Sequence, residues 1–539
     1  MPVIHRHSPP AALLLTAALL VCLAAAVFVG AAPASAGPPV CPAAGPSGSA
    51  DELLAMLAVQ QAQLTAGDGA AGDYFGYSVA ISGDTAVVGA PDDHIGANTD
   101  QGSAYVFVRN GTTWSQQQKL TAADGAGWDE FGGSVAIWSD TAVVGAAWDD
   151  VGANADQGSA YVFVRSGTTW SQQTQLTATG GAASDHFGCA VAIDGETAVV
   201  GAYYDNVGGG ASQGSAYVFF RSGTVWSQQG QLVAADGGIN DFFGYSVAID
   251  GETTVVGAYI DTVGANTNQG SAYVFVRSGT TWSQQAKLIA ADGAAHDEFG
   301  VSVAVSGDTA VVGAYYDDVG ANADQGSAYV FARSGTTWSQ QGQLIAADGG
   351  AGDWFGISVA VSGETAVVGA YLGDVGANAD QGSAYVFARG GTTWSQQAKL
   401  TATDGAAYDA FGISVAISGE TAVVGAWCDA VGANTAQGSA YVFVASEVAT
   451  PGRPVARSPK GVISSRTPTL RWTAAAGATT YEVRIYKGSR LIRKKTGITK
   501  TSWKCTRRLP RGVRLTWKVL AWNMAGWGPW SNRPRFEVR

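Results

Sequence analysis

The sequence predicts an all-β chain: a seven-bladed β-propeller of 56-residue, four-stranded blades, followed by a β-sandwich. Three observations carry that prediction. The pair Phe-Gly recurs at Phe75, Phe131, Phe187, Phe243, Phe299, Phe355 and Phe411, always 56 residues apart. Each unit offers four strand-sized runs separated by turn chemistry. A stretch standing before the first complete unit, AVQQAQLT at 58–65, has the pattern of the fourth run that the seventh unit lacks.

Taken in order, residues 1–36 read as a secretory signal. His5 and Arg6 precede an apolar run from Ala11 to Val29, and Ala34-Ser35-Ala36 suits cleavage before Gly37. No later segment has the roughly 18 apolar residues a membrane-spanning helix needs, so the mature chain is expected to be secreted or held at the cell surface. Residues 37–52 form a Pro/Gly/Ala-rich linker, and the propeller is expected over 53–447.

Within the fifth unit the strand-sized runs are 302–305, 310–314, 328–333 and 337–344. Ser306-Gly307-Asp308 supplies a tight turn between the first two. Ser334-Gly335 supplies a hairpin turn between the last two, as Asn110-Gly111 does in the first unit. A longer Asp/Asn/Gly loop, 317–326, joins the second and third runs. Ala, Gly and Ser dominate the first two runs, whereas Tyr, Phe and Trp occupy the last two. Small side chains suit strands crowded about an axis and large ones suit the wider periphery, which is propeller geometry.

An open solenoid would need atypical capping units, yet units one and seven match their neighbours. Six outer runs open on Trp114, Trp170, Trp226, Trp282, Trp338 and Trp394, while the seventh unit stops after Tyr441-Val442-Phe443. Residues 58–65 are expected to complete it and remove an open sheet edge, with Ala58 where the other units have Trp.

Phe-Gly-x-Ser-Val-Ala, then Val-Gly-Ala, then Gly-Ser-Ala-Tyr-Val-Phe resembles the FG-GAP repeat, the unit of integrin α-subunit propellers and of many bacterial exported proteins. Gly89-Ala90-Pro91 keeps the literal second half of that motif, and the resemblance covers about 59–445. It implies a propeller used for binding or adhesion. One departure matters: integrin-type repeats often carry a DxDxDGxxDL calcium loop between the first two strands. Here that connection is only Ser-Gly-Asp or a close variant, so that metal site is missing.

Charge divides the chain. Residues 1–450 hold 10 Lys and Arg against 41 Asp and Glu, a net of −31, whereas 451–539 hold 21 against 2, a net of +19. In up-and-down blades, the loop leading into the first strand and the loop joining strands two and three share a face. That face collects 29 of the 41 acids. Two readings apply to them. Asp, Asn and Gly hydrogen-bond their own backbone and tolerate left-handed turns. Alternatively their oxygens coordinate calcium, the one expected cofactor, which takes six to eight oxygen ligands. The fullest sets are Asp149, Asp150, Asn154 and Asp156, and Asp317, Asp318, Asn322 and Asp324.

The same face carries the residues that vary between otherwise near-identical units. Trp148, Tyr203, Tyr204, Tyr259, Tyr315, Tyr316, Tyr371 and Trp427 follow the second strand, and Tyr74, Glu130, His186, Phe242, Glu298, Trp354 and Ala410 precede each Phe-Gly. The aromatics after the second strand are candidate ligand-binding residues for a glycan or a protein, with packing between neighbouring loops as the other reading. A catalytic reading finds little support. His94, His186 and His296 fall in different columns, and no nucleophile–base set or nucleotide-binding glycine loop is present. Cys41, Cys189, Cys428 and Cys505 lack metal-ligand spacing and read as isolated thiols, with one disulfide pair as the alternative in an exported chain.

Residues 448–454 are a linker, and 455–539 a basic domain with strand-like runs at 469–473, 481–487, 501–505, 515–522 and 535–539. The spacing, an early Trp472 and the closing WKVLAWNMAGWGPWS resemble a fibronectin type III sandwich. Its charge predicts attraction to an anionic envelope polymer. The expected function is an exported, non-catalytic binding or adhesion protein. A carbohydrate-active enzyme and a surface-layer or matrix component are the alternatives.

Overall fold

The computed structural model describes residues 57–446, 451–523 and 526–539. The expected signal at 1–36, the linker at 37–52, the start of the propeller span up to 56 and the linker residues 447–450 lie outside the described residues.

Every described helix or strand is a strand. In blade 1, Val79–Ser82, Thr85–Ala90, Ser103–Asn110 and Thr113–Leu120 pair antiparallel in chain order. Five more four-stranded sheets repeat this order. In blade 7, Phe411–Ser418, Thr421–Ala426 and Ser439–Ser446 are completed by Leu57–Leu64, which runs antiparallel from Leu57↔Ser446 to Leu64↔Ala440. The ring is closed by the chain's own start. Second strands such as Thr-Ala-Val-Val-Gly-Ala are buried at every residue, because each inner strand lies between neighbouring blades on both faces and needs no polar alternation.

The two glycines of the repeat interlock adjacent blades. Gly132 has φ 100°, a conformation that glycine adopts without strain. Its carbonyl sits where a Cβ on Gly89 would be only 1.9 Å away, so the Phe-Gly of one blade presses on the Val-Gly-Ala of the blade before it. Ser78 donates to that same carbonyl at 2.8 Å. The final pair is identical in kind: Ser414 of blade 7 donates to Gly76 of blade 1 at 2.8 Å. Blade 3 has Ala190 in the serine column, and there the neighbouring Cys189 sulfur lies 3.5 Å from the Gly244 carbonyl.

The Trp-Ser-Gln-Gln motif stitches the rim. The first glutamine accepts an N–H from the loop that leads into its own blade, as Gln116 does from Gly67 at 2.8 Å. The second accepts the indole N–H of the next blade's tryptophan, as Gln117 does from Trp170 at 2.9 Å, except at Trp394, whose indole N–H has no partner. In the closing strand both partners are kept: Gln60 accepts from Thr403 and Gln61 from Trp114, each at 2.9 Å. Gln397, the residue that a tryptophan at 58 would reach, folds back onto Ser395 instead.

On the face away from the acidic loops, Arg109 pairs with Asp84 and donates to Thr421 of the preceding blade at 2.9 Å. Arg165, Arg221, Arg277, Arg333 and Arg389 repeat this clamp. Blade 7 has Ala445 in the arginine column, and a cavity of about 30 Å³ lies between Thr365, Glu420 and Phe443.

Residues 451–539 form two sheets. One holds Ala456–Ser458, Thr469–Trp472 and Ser502–Lys504; the other orders Gly461–Ile463, Arg535–Val538, Arg514–Asn523, Thr480–Lys487 and Arg490–Ile498. Trp472, Val483, Leu515, Trp517 and Phe536 fill the core between them. Arg490–Ile498 carries no predicted run because its Arg- and Lys-rich residues are mostly exposed and lack apolar alternation. Cys189, Cys428 and Cys505 are free thiols, with Cys189 and Cys505 buried.

A candidate ligand-binding face

The acidic face is built by joining each second-to-third-strand loop to the leading loop of the next blade. Phe131 donates its N–H to Gln101 at 2.9 Å, and across the closure Phe75 donates to Gln437 at 2.8 Å. Within this frame the leading-loop aspartates act locally. Asp73 accepts the Ala70 N–H at 2.6 Å, and Asp129, Asp185, Asp241, Asp297, Asp353 and Asp409 accept the equivalent bond. Burial pushes Asp129, Asp185, Asp297 and Asp409 up to about 6, the local N–H offsets only part of this, and the neighbouring loop carboxylate adds to it.

The predicted calcium set divides by role. Asp149 is buried and accepts from Ser159 at 2.5 Å, Tyr161 at 3.0 Å and Gln175 at 3.0 Å. Asp317 accepts from Tyr329 at 3.0 Å and Gln343 at 2.9 Å. The Asn154 amide donates to Gln157 and to the Gly181 carbonyl, and Asn322 donates to Gln325 and Gly349. Asp150 accepts the N–H of Asp156, and Asp318 that of Asp324, each at 2.9 Å. Asp156 and Asp324 have φ of 53° and 52°, in the left-handed region where Asp is among the better-tolerated residues. Among the described residues, no group of three or more His, Cys, Asp or Glu side chains converges closely enough to hold a metal ion.

The predicted aromatics converge on the propeller axis. Tyr203, Tyr204, Tyr259, Tyr315, Tyr371 and Trp427 share one apolar cluster with Cys189, Tyr245, Val301, Ile357 and Ile413, which follow the Phe-Gly pairs. One arc runs from Trp148 through His186, Tyr203, Tyr204 and Phe242 to Tyr259, with neighbouring ring centroids 4.3–5.9 Å apart. A second joins Tyr315, Tyr316, Trp354 and Tyr371, and a third joins Tyr74, Tyr77 and Trp427. Tyr203 and Tyr371 are buried inside this plug, whereas Trp148, Tyr204, Tyr259, Tyr315, Tyr316 and Trp427 are half-buried at its surface. The residue before each Phe-Gly has a positive φ in all seven blades, between 52° and 58°. That backbone turns these varied side chains toward the arcs.

One blade opens a cleft. In blade 5 a cavity of about 770 Å³ is lined by Asp292, His296, Asp297, Glu298, Tyr316, Asp317, Asp318, Asp324 and Gln343. It gathers four of the predicted residues, Tyr316, Asp317, Asp318 and Asp324, but not Asn322. Burial pushes Glu298 up to about 7 although Tyr315 donates to it at 2.6 Å. Glu298 and His296 are additions from the structure; their only sequence signal is that their columns vary between units.

In the basic domain, Trp530 lies between Arg484, at 4.8 Å, and Lys518, at 3.6 Å. Tyr486 lies between Lys518, at 5.7 Å, and Arg533, at 4.7 Å. Arg493 donates to the Arg508 carbonyl at 3.4 Å, which joins the Arg490–Lys495 cluster to the Lys504–Arg514 cluster. A family model described as FG-GAP repeat matches residues 58–107, 114–163, 170–219, 226–275, 282–331, 338–387 and 394–443. Among curated proteins none matches the chain.

Proposed function

Because the chain belongs to the FG-GAP repeat family, whose propellers are generally binding modules, we propose that it is an exported, non-catalytic protein that binds a glycan or a protein segment on its acidic face. The blade-5 cleft carries this reading. It offers several carboxylate acceptors, a half-buried tyrosine and a histidine within about 770 Å³, a volume and chemistry suited to a hydroxyl-rich or cationic group. The aromatic arcs beside it supply rigid walls. Among the described residues no helix is long and apolar enough to cross a membrane, and the basic domain supplies a different means of retention. Its joined cation clusters favour an anionic envelope polymer through long-range attraction.

The test is binding of the full-length chain to immobilised glycans and to basic peptides, compared with Tyr316→Ala and Asp318→Asn. Both residues line the cleft and are at least partly exposed, so their replacement should weaken binding about ten-fold or more, and Asp318→Asn, which keeps an acceptor for the Asp324 N–H, should do so without lowering the melting temperature. Unchanged affinity in both variants refutes the assignment of the cleft.

A second reading has one observation in its favour. A carboxyl pushed to about 7 in a cleft that holds further carboxyl groups is compatible with a sugar-cleaving acid and its partner. Turnover of a polysaccharide that is lost in Glu298→Gln would establish that reading in place of simple binding.

A further inference from the structure

Six blades share a buried motif on the acidic face. An aspartate at the start of the second loop (Asp93, Asp149, Asp205, Asp261, Asp317 or Asp429) sits against a serine and a tyrosine of the third strand and a long polar side chain of the fourth. Asp261 shows the full set: Ser271 donates at 2.6 Å, Tyr273 at 3.2 Å, and the Lys287 ammonium lies 2.7 Å away. In blades 1 and 4 the lysine bridges two carboxylates, Lys119 holding Asp68 and Asp93 and Lys287 holding Asp236 and Asp261, all at 2.7 Å.

Blade 6 keeps every donor and lacks the acceptor. Gly373 occupies the aspartate column. Ser383 and Tyr385 are completely buried; the Ser383 hydroxyl has no hydrogen-bond partner, and the Tyr385 hydroxyl lies beside Lys399 and Asp348 but has no aspartate in the place its counterparts use. Lys399 reaches Asp348 at 2.8 Å and has no second carboxylate. In blade 5 the equivalent Ser327 has Asp317 beside it as an acceptor, which Tyr329 and Gln343 also hold. Buried hydroxyls are almost always paired, so blade 6 lacks the acceptor that its six counterparts supply.

We infer that blade 6 binds a carboxylate group of a ligand in the place of the missing aspartate side chain, on Ser383, Tyr385 and Lys399. The shape fits because the same cradle holds an acetate-like side chain six times elsewhere. A side chain can start from position 373 without a severe clash: the nearest atoms to a Cβ on Gly373 are the Ala370 carbonyl at 3.2 Å and the Asp353 carboxyl at 3.7 Å. Charge permits it too. Asp348, Asp353 and Asp374 face the site, but their counterparts in blade 5, Asp292, Asp297 and Asp318, surround Asp317 in the same way. Access follows from the repeat: the open cleft of blade 5 reaches Asp317 and Gln343, the counterparts of Gly373 and Lys399.

The probe is acetate, compared with chloride at equal ionic strength and constant neutral pH, and the readout is the melting temperature of the full-length chain. At ten times its dissociation constant, acetate multiplies the folding constant about eleven-fold, a rise of about 1–2 °C for a propeller of this size. Gly373→Asp should melt higher than the parent in chloride and lose the acetate increment. Asp317→Gly should melt lower and gain an additional acetate increment. Lys399→Gln, which resembles the natural Gln343 of blade 5, should fold and show a weakened acetate response. No acetate-specific rise in the parent, or an equal rise in the parent and Gly373→Asp, overturns the inference.

Discussion

Leu64 tests whether the closing strand is structural glue or a loose tail. It stands opposite Ala440 in blade 7, as Leu232 stands opposite Ala216 in blade 3, and both side chains are 3% exposed. Leu→Ala at a buried site costs about 2–5 kcal/mol, from lost burial plus the cavity left behind. The 390 residues from Leu57 to Ser446 imply an unfolding entropy of about 0.8 kcal/mol per degree. Each substitution should therefore lower the melting temperature by about 2–6 °C. Differential scanning calorimetry of Leu64→Ala and Leu232→Ala, made separately in the full-length chain, gives the comparison. Equal losses mean that the ring melts as one body with its seam shut. A loss under about 0.5 °C for Leu64→Ala beside a full loss for Leu232→Ala would show that the seam opens first and that closure contributes nothing to global stability.

Stability should depend on pH through the raised carboxyls. A carboxyl whose folded pKa lies above its unfolded value adds stability that is present below the unfolded pKa and lost as pH rises through the folded one. Asp129, Asp185, Asp297 and Asp409 at about 6, with Glu130 and Glu298 at about 7, therefore predict a melting temperature that falls between pH 5 and pH 8. Glu130→Gln with Glu298→Gln should flatten the upper half of that fall, and a melt that rises over this range refutes the assignment. Ser302→Ala removes a hydroxyl bond to the Gly356 carbonyl, 2.8 Å long and buried; urea denaturation should show a loss of about 1–3 kcal/mol. Ala445→Arg should bridge Glu420 and Thr365 as its counterparts do, raising stability by up to about 1 kcal/mol in the same assay. Millimolar calcium against excess chelator should leave the melting temperature unchanged, because Asp149 and Asp317 already accept from neighbouring side chains and, among the described residues, no three carboxylates converge; a rise of several degrees with calcium would show a site formed only on binding.

The fold was legible because it is written seven times. A fixed period, Ser-Gly and Asn-Gly turns, and small residues inside with aromatics outside each repeat without insertion, so chance agreement in one unit is corrected by the other six. Even the closure could be read, since Gln60 and Gln61 keep the rim chemistry that Gln116 and Gln117 perform elsewhere. The candidate site was less legible for a physical reason. Asp149 and Asp150 look alike in sequence, yet one is a buried acceptor for three side chains and the other caps a turn at the surface. Tyr203 and Tyr204 are neighbours, but only the first is buried in the axial plug. Burial of this kind is decided by side chains from other strands, such as Tyr161 and Gln175 for Asp149 and Phe242 and Tyr245 for Tyr203, and not by the local residue pattern. The strand Arg490–Ile498 escaped for the opposite reason: backbone pairing with Thr480–Lys487 holds it, and its side chains do not advertise it.

The closing strand also sets a clock. Gln63 and its partner Ser439 are separated by 376 residues, so the strand that closes the ring must wait until the seventh blade has been made. Long-range pairing of this sort is slow to form. Until it forms, Ser439–Ser446 offers an unpaired edge to any matching strand. Another molecule carries one, in the same register. At high concentration, newly made chains should therefore exchange their opening strands into linked dimers or longer chains, and dilution during refolding should favour the closed monomer.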